Sequence, residues 1–172
     1  MVLGIVDIYT KRAPEGIARC EHALALDRNL AHAHNIIGRG KIFVGRSEET
    51  EAHIFEALRL SPRDTLAYIW MTNAGIAKNN LGLYDQAVVW CRWAIEANRN
   101  FPHTHFVLGS ALARLGRLDE AHSAVGAGLA LNPSYTVSRA RAAWTASSND
   151  PTYLIQTERA LEAMRKAGLP EQ

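Results

Sequence analysis

Apolar positions recur along this chain with the three-and-four spacing of helix faces. They fall in stretches of roughly a dozen residues closed by Gly, Asn, Asp or Pro, and no stretch keeps the period-two alternation of a half-buried strand. The plainest pair of stretches covers residues 101–133. There Leu108-Gly109, Leu112, Gly116-Arg117-Leu118-Asp119-Glu120-Ala121, Gly128 and Asn132-Pro133 mark a helix, a turn, a second helix and an exit. Gly75, Gly82, Asp85, Ala87 and Asn98 stand 34 residues before Gly109, Gly116, Asp119, Ala121 and Asn132. Self-similarity at one fixed period predicts stacked helix-turn-helix units, each burying its apolar face against its neighbours.

That register divides the chain, as one domain, into a truncated first unit over 1–30, units over 31–67, 68–101 and 102–135, and a degenerate unit with a cap over 136–169. Residues 1–12 enter a first helix partway, with Leu3-Gly4 at the Leu108-Gly109 position, so the chain reads as a fragment or as an array with an eroded first unit. The second helix of that unit is expected from about residue 14, an acceptable first-turn proline, to 26. In the next unit Ser47 is expected to cap a helix that opens with Glu48 and Glu49. Thr50 replaces the alanine found at 87 and 121, which predicts looser packing there. From Pro62 to its equivalent, Arg99, the count is 37 rather than 34. The extra residues, between Arg63 and Tyr68, are expected to lengthen the following helix, 65–80, by most of a turn. A last helix over 152–166 places Leu154, Ile155, Leu161 and Met164 on one face, the one-sidedness of a cap.

These repeats resemble the tetratricopeptide family over nearly the whole chain, most specifically at 75–98 and 108–133. His105 stands where the family has an aromatic, and Gly16 where it has a small alanine. The resemblance implies an all-α fold: a right-handed α-α superhelix of about four to five helix-turn-helix units with a C-terminal capping helix. It also implies a surface that holds another protein. A narrower resemblance rests on Leu60-Ser61-Pro62-Arg63-Asp64-Thr65, Ala94-Ile95-Glu96-Ala97-Asn98-Arg99-Asn100 and Met164-Arg165-Lys166-Ala167-Gly168-Leu169-Pro170. These segments are similar to the C-terminal repeat regions behind the catalytic domain of some bacterial adenylate/guanylate cyclases, and to regions of winged-helix regulators. This implies a regulatory or assembly segment of a larger bacterial signalling protein, with a self-association module behind a cyclase domain as the alternative.

Composition narrows the chemistry. A net charge of +2, with Lys and Arg scattered among the helices, leaves no electrostatic footprint for nucleic acid or anionic lipid. No apolar run approaches a membrane span and no secretory leader is recognisable, so a cytoplasmic location is expected. Cys20 and Cys91 occupy equivalent positions two units apart, too distant for a disulfide, and are expected to be reduced, buried thiols.

His32 and His34 repeat at His103 and His105, but two residues apart on a helix point about 200° from each other, so neither pair chelates one ion. Gly38-Arg39-Gly40-Lys41 fits neither phosphate-binding fingerprint. Glu48, Glu49 and Glu51 read as a dipole-matched helix start. No nucleophile, metal or cofactor constellation is present in the sequence, and no enzymatic activity is expected.

Function is therefore expected in a groove. In such a superhelix the first helix of each unit lines the concave face, and the register places His32, Asn35, Arg39, Ile69, Thr72, Ile76, Asn79, His103, Phe106, Ser110, Arg114 and Trp144 there. That mixture suits a peptide or protein partner with some acidic character, because Arg39 and Arg114 can pair carboxylates while the apolar groups anchor. Ile5 stands where chaperone-binding members of the family need a polar amide, so a chaperone tail is not the expected ligand. Val2, Leu3, Ile5, Val6 and Ile8 crowd an edge that no earlier unit covers, which predicts a homodimer or a docked upstream domain.

Overall fold

The structure, a computed structural model, describes residues 2–172, with side chains from Leu3 onward. Ten α-helices and one 3-10 turn, with no strand among the described residues, follow as antiparallel pairs. They are α1 (Val2–Ile8) with α2 (Ala13–Leu26), α3 (Ala31–Phe43) with α4 (Thr50–Leu60), α5 (Ala67–Asn80) with α6 (Tyr84–Ala97), α7 (Pro102–Arg114) with α8 (Leu118–Leu131), and α9 (Val137–Thr145) with α10 (Pro151–Lys166).

The first four pairs turn by one device. The last carbonyls of α1, α3, α5 and α7 are closed by 6→1 bonds from Arg12 to Asp7, Arg46 to Lys41, Leu83 to Lys78 and Arg117 to Leu112, at 2.8–3.1 Å. Such a cap needs a left-handed residue just beforehand, and Gly45, Gly82 and Gly116 supply it at φ 72°, 77° and 76°. In the first pair Lys11 takes the same conformation at φ 63°, without the freedom glycine would bring. The exits are equally regular: the side chains of Asp27 and Asn98 each accept from the backbone N–H two residues on, at 2.9 and 3.0 Å.

Within each of the first four pairs a glycine of the first helix meets the second helix. A Cβ on Gly75 would lie 2.8 Å from Cys91 Sγ, and one on Gly109 2.6 Å from Val125 Cγ2. Both cysteines are free and buried, and burial pushes the Cys91 thiol up to about 12. Neighbouring first helices (α1, α3, α5, α7) also touch one another, whereas consecutive second helices do not touch to a comparable extent; the stack therefore curves with the first helices inside.

Three local expectations are corrected. The residues inserted before α5 do not lengthen it: α5 starts at Ala67, and residues 62–66 form turns held by the Asp64 carboxylate accepting from Leu66 N–H at 2.8 Å. Ser47 caps nothing; it lies buried in a 3-10 turn and its hydroxyl accepts from Asn80 Nδ2 at 3.1 Å. Thr50 does not loosen its unit, because its hydroxyl, fully buried, donates to Gly38 O at 2.9 Å and ties α4 to α3.

The capping helix α10 has a seat that periodicity does not specify. It lies across the inner face rather than over the free end alone. At its start, the Asp150 side chain caps it by accepting from Tyr153 N–H, and Tyr153 packs edge-on to Phe43 of α3 at 5.3 Å. Midway, Ser110 of α7 donates to Ala160 O at 3.4 Å. At its end Gly168 lies against His122 of α8.

The helix seam yields a paired prediction. Gly109→Ala should destabilise the fold by about 1–3 kcal/mol, since Val125 is buried and stiff at χ1. Gly126→Ala, on the open face of α8 with nothing within 4 Å, should stabilise it by about 0.5–1 kcal/mol. Urea unfolding of the two variants checks the opposite signs.

Candidate functional site: the inner face

The polar residues of the inner face first serve each other. Asn73 donates to Asn35 at 2.9 Å and accepts from Arg39 at 3.2 Å, joining α5 to α3. Thr72 and Thr104 share a hydrogen bond of 2.7 Å, and Asn79 donates to Ser110 at 3.0 Å, joining α5 to α7. Apart from Arg39 these residues are almost fully buried, where an unmet polar group costs roughly 1–3 kcal/mol, so the ladder fixes the spacing of the units.

Between this ladder and α10 lies a cavity of about 40 Å³. Its floor is Arg39, Ile76, Asn79, His103 and Val107, and its roof is Trp144, Tyr153, Thr157, Ala160 and Met164. The roof offers no charge. Asn79 Oδ1 and Arg39 Nε are buried there without partners.

Arg39, which lines the cavity, and Arg114, which does not, are held alike. The Arg39 guanidinium sits 4.5 Å over the Phe43 ring and that of Arg114 5.3 Å over Tyr84, whose hydroxyl accepts from it at 2.8 Å. Arg114 Nε, like Arg39 Nε, is buried and unpartnered. Among the described residues neither arginine pairs with a carboxylate, although Arg117 and Arg141, buried to a similar degree, both do. Each arginine thus has its planar fork held in place and an acceptor missing.

The remaining expected residues divide. Trp144 closes the groove mouth against His103, ring centres 5.8 Å apart, and His32 lies beside Trp70 at 6.4 Å. Ile69 is half-buried against the α4–α6 core. Phe106 is not on the groove surface: it is 1% exposed, stacks on Tyr135 at 4.3 Å and lies against Gly128 of α8, so it is a core residue. Sequence reasoning missed Asn73 and Thr104, buried polar positions whose only signal was a polar residue inside an apolar stretch. It also missed Tyr153 and Thr157, which reach the groove only through the path of α10.

Burial, reinforced by the positive charge of Arg39, pulls the His103 pKa down to about 4. His34 and His53 meet Nδ1 to Nδ1 at 3.3 Å, one ring donating to the other, and burial lowers both. No group of three or more His, Cys, Asp or Glu side chains is placed to hold a metal ion among the described residues. Nor is any described helix long and apolar enough to cross a membrane.

Paired helices, repeated glycine turns and a curved inner face define an all-α superhelix of the tetratricopeptide type. No family model and no curated protein matches the sequence. Solved structures do. MamA 41-end from Desulfovibrio magneticus RS-1 is 12% identical with a TM-score of 0.67, over 95% of this chain and 90% of that one. Another crystal structure of MamA is 17% identical with a TM-score of 0.65, over 90% of each chain. YrrB, described as a TPR protein with an unusual peptide-binding site, is 25% identical with a TM-score of 0.58, over 90% of this chain and 76% of that one. The MamA likeness is one of fold.

The His103 environment predicts a pH dependence. The unfolded chain takes up a proton at the ordinary histidine value near 6.5, while folded His103 resists until about 4, so stability should fall as pH drops through that window. His34 and His53 act with the same sign. Thermal melts across the window should show a smaller loss for His103→Gln than for the parent protein.

Proposed function

We propose that this chain is a non-catalytic protein-interaction scaffold whose inner face holds an acidic peptide or helix of a partner protein. The observation that carries the reading is the pair Arg39 and Arg114. Each is half-buried, braced on an aromatic ring, short of one acceptor and without a carboxylate. A preorganised guanidinium loses little freedom on pairing, so a partner carboxylate at each gains a charge-assisted, bidentate contact in a partly desolvated site. YrrB, with its described peptide-binding site on a similar fold, supports the class of function. The narrower cyclase resemblance rests on its sequence segments alone and proposes a regulatory segment of a larger signalling protein, which the sequence of the flanking gene would test.

To test the groove, the protein and its Arg39→Ala/Arg114→Ala double variant are used as bait in lysate of the source organism, with captured proteins identified by mass spectrometry. The expected outcome is loss of a specific partner by a variant whose melting temperature is little changed. Equal capture would place binding elsewhere.

A second reading, self-association, is favoured at the first edge. Ile8 is fully buried, but Leu3 and Val6 of the first helix are 65% and 49% exposed; the Val2 side chain lies outside the described residues. An uncovered solenoid edge of this kind favours pairing. Leu3→Glu/Val6→Glu should abolish concentration-dependent association in sedimentation velocity, and a parent protein that stays monomeric at high concentration would sink the reading.

A further inference from the structure

Within the scaffold reading, and resting on it, we infer that α10 is a built-in, displaceable occupant of the groove, and that the partner is an acidic amphipathic helix that takes its seat. Three observations converge.

The first is that α10 binds as a helical ligand would. Its apolar and small residues Tyr153, Thr157, Ala160 and Met164 recur at helical spacing, are buried, and roof the cavity over the floor of α3, α5 and α7. That is the helix-in-groove mode supplied in cis. Its polar flank, Glu158, Arg159, Glu162 and Arg165, faces solvent.

The second is that α9 and α10 are tied to each other by polar links of their own. Tyr153 donates to Trp144 O at 3.1 Å, Arg141 pairs with Glu158 at 2.9 Å, and the tail beyond α10 accepts from Val137 and Ser138 N–H through Pro170 and Glu171 O. The pair connects to α8 through the short segment 132–136. Its hydrogen bonds to the groove are few, among them Ser148 to Phe43 O and Ser110 to Ala160 O. The pair also buries Leu161 and Met164 in the core of α7 and α8, so a partner that lifts α10 has to cover that surface in its place.

The third is the mismatch. α10 brings no acid to the floor, leaving Arg39 Nε and Asn79 Oδ1 unanswered and a cavity of about 40 Å³ between roof and floor, while Arg114 Nε, outside the cavity lining, is also unpartnered. Glu162 feels the Arg114 charge without bonding to it. A helix bearing a carboxylate over Arg39, and one close enough to bond Arg114, answers these groups better than α10 does. Covalent attachment gives α10 a high effective concentration, so the partner displaces it only by means of these additional contacts.

The test uses the full chain and a labelled synthetic peptide of residues 151–166 carrying Thr157→Glu, a substitution in the roof of the cavity that Arg39 also lines. Fluorescence anisotropy should show this peptide binding more tightly than the unmodified 151–166 peptide, a preference lost in Arg39→Ala/Arg114→Ala. Loosening the cover with Tyr153→Ala in the chain should tighten peptide binding roughly tenfold, and Thr157→Glu in the chain should weaken it by a similar factor. Ser148→Ala gives the loosening arm again if Tyr153→Ala fails to fold. Hydrogen exchange over residues 151–166 of the chain should accelerate when the peptide binds.

Unchanged exchange there, equal affinity across the three chains, or no peptide binding to any of them overturns the inference. So does a dimer that trades α10 between copies, which assigns the seat to a second copy. If lysate capture depends on Arg39 and Arg114 while α10 stays protected, the cover falls and the scaffold reading stands. If α10 exchanges but capture ignores both arginines, the acidic partner falls with the reading it rests on.

Discussion

The structure depends on how closely the two helices of each unit approach. Gly4, Gly38, Gly75 and Gly109 hold one register position, and the side chain nearest each would-be Cβ is Cys20, Ile54, Cys91 or Val125, which keeps the same register on the second helix. With no Cβ on one side, that neighbour fills the gap left by the glycine, and the interhelix distance is set by one side chain instead of two. Ala87 and Ala121 let the same approach continue along the seam, and Thr50 substitutes a buried hydrogen bond for the alanine contact. A second use of glycine, in the left-handed region at Gly45, Gly82 and Gly116, closes α3, α5 and α7 so that the partner helix returns at a fixed angle.

Given that spacing, the inner face is where the units must satisfy one another. The first helices crowd together on the inside of the curve, so polar side chains there cannot all reach water, and the structure answers with the Asn35–Asn73–Arg39, Thr72–Thr104 and Asn79–Ser110 links. On the outer side, Lys78 pairs with Glu51 at 2.7 Å, and the indole of the buried Trp90 donates to the same carboxylate at 3.0 Å. Surface ion pairs are worth little, but these partners are mostly shielded and satisfied together, so they fix the rotation between units. The inner face is thus a structural element first, and what remains unsatisfied in it is chiefly Arg39 Nε and Asn79 Oδ1.

The two ends of the stack handle an uncovered face differently. At the C-terminal end the chain supplies α9 and α10, which bury Val137, Ala140, Leu161 and Met164 against α7 and α8 and continue over the groove. At the other end Leu3 and Val6 remain exposed, and Lys11 holds a turn that glycine holds elsewhere. An edge with exposed apolar groups and a less favourable turn is the least self-sufficient part of the fold.

The repeat, its helix pairs and most of their bounds were legible in the sequence because each depends on local chemistry. Glycine is needed at one turn position, a small residue at one seam position, and Asn, Asp or Pro at the exits. The groove was legible only in part. Helical register correctly brought Arg39, Ile76, Asn79, His103 and Trp144 to one cavity, but it put Phe106 there too, since periodicity alone does not tell the flank of a helix that faces its own partner from the flank that faces the groove. The insertion at 63–66 went into turns because Asp64 could cap them, which a count of residues does not reveal. The path of α10 was decided by the tertiary structure alone. A one-sided helix needs some apolar surface to cover, and only the curvature of the assembled stack determines that the surface within reach is the concave face.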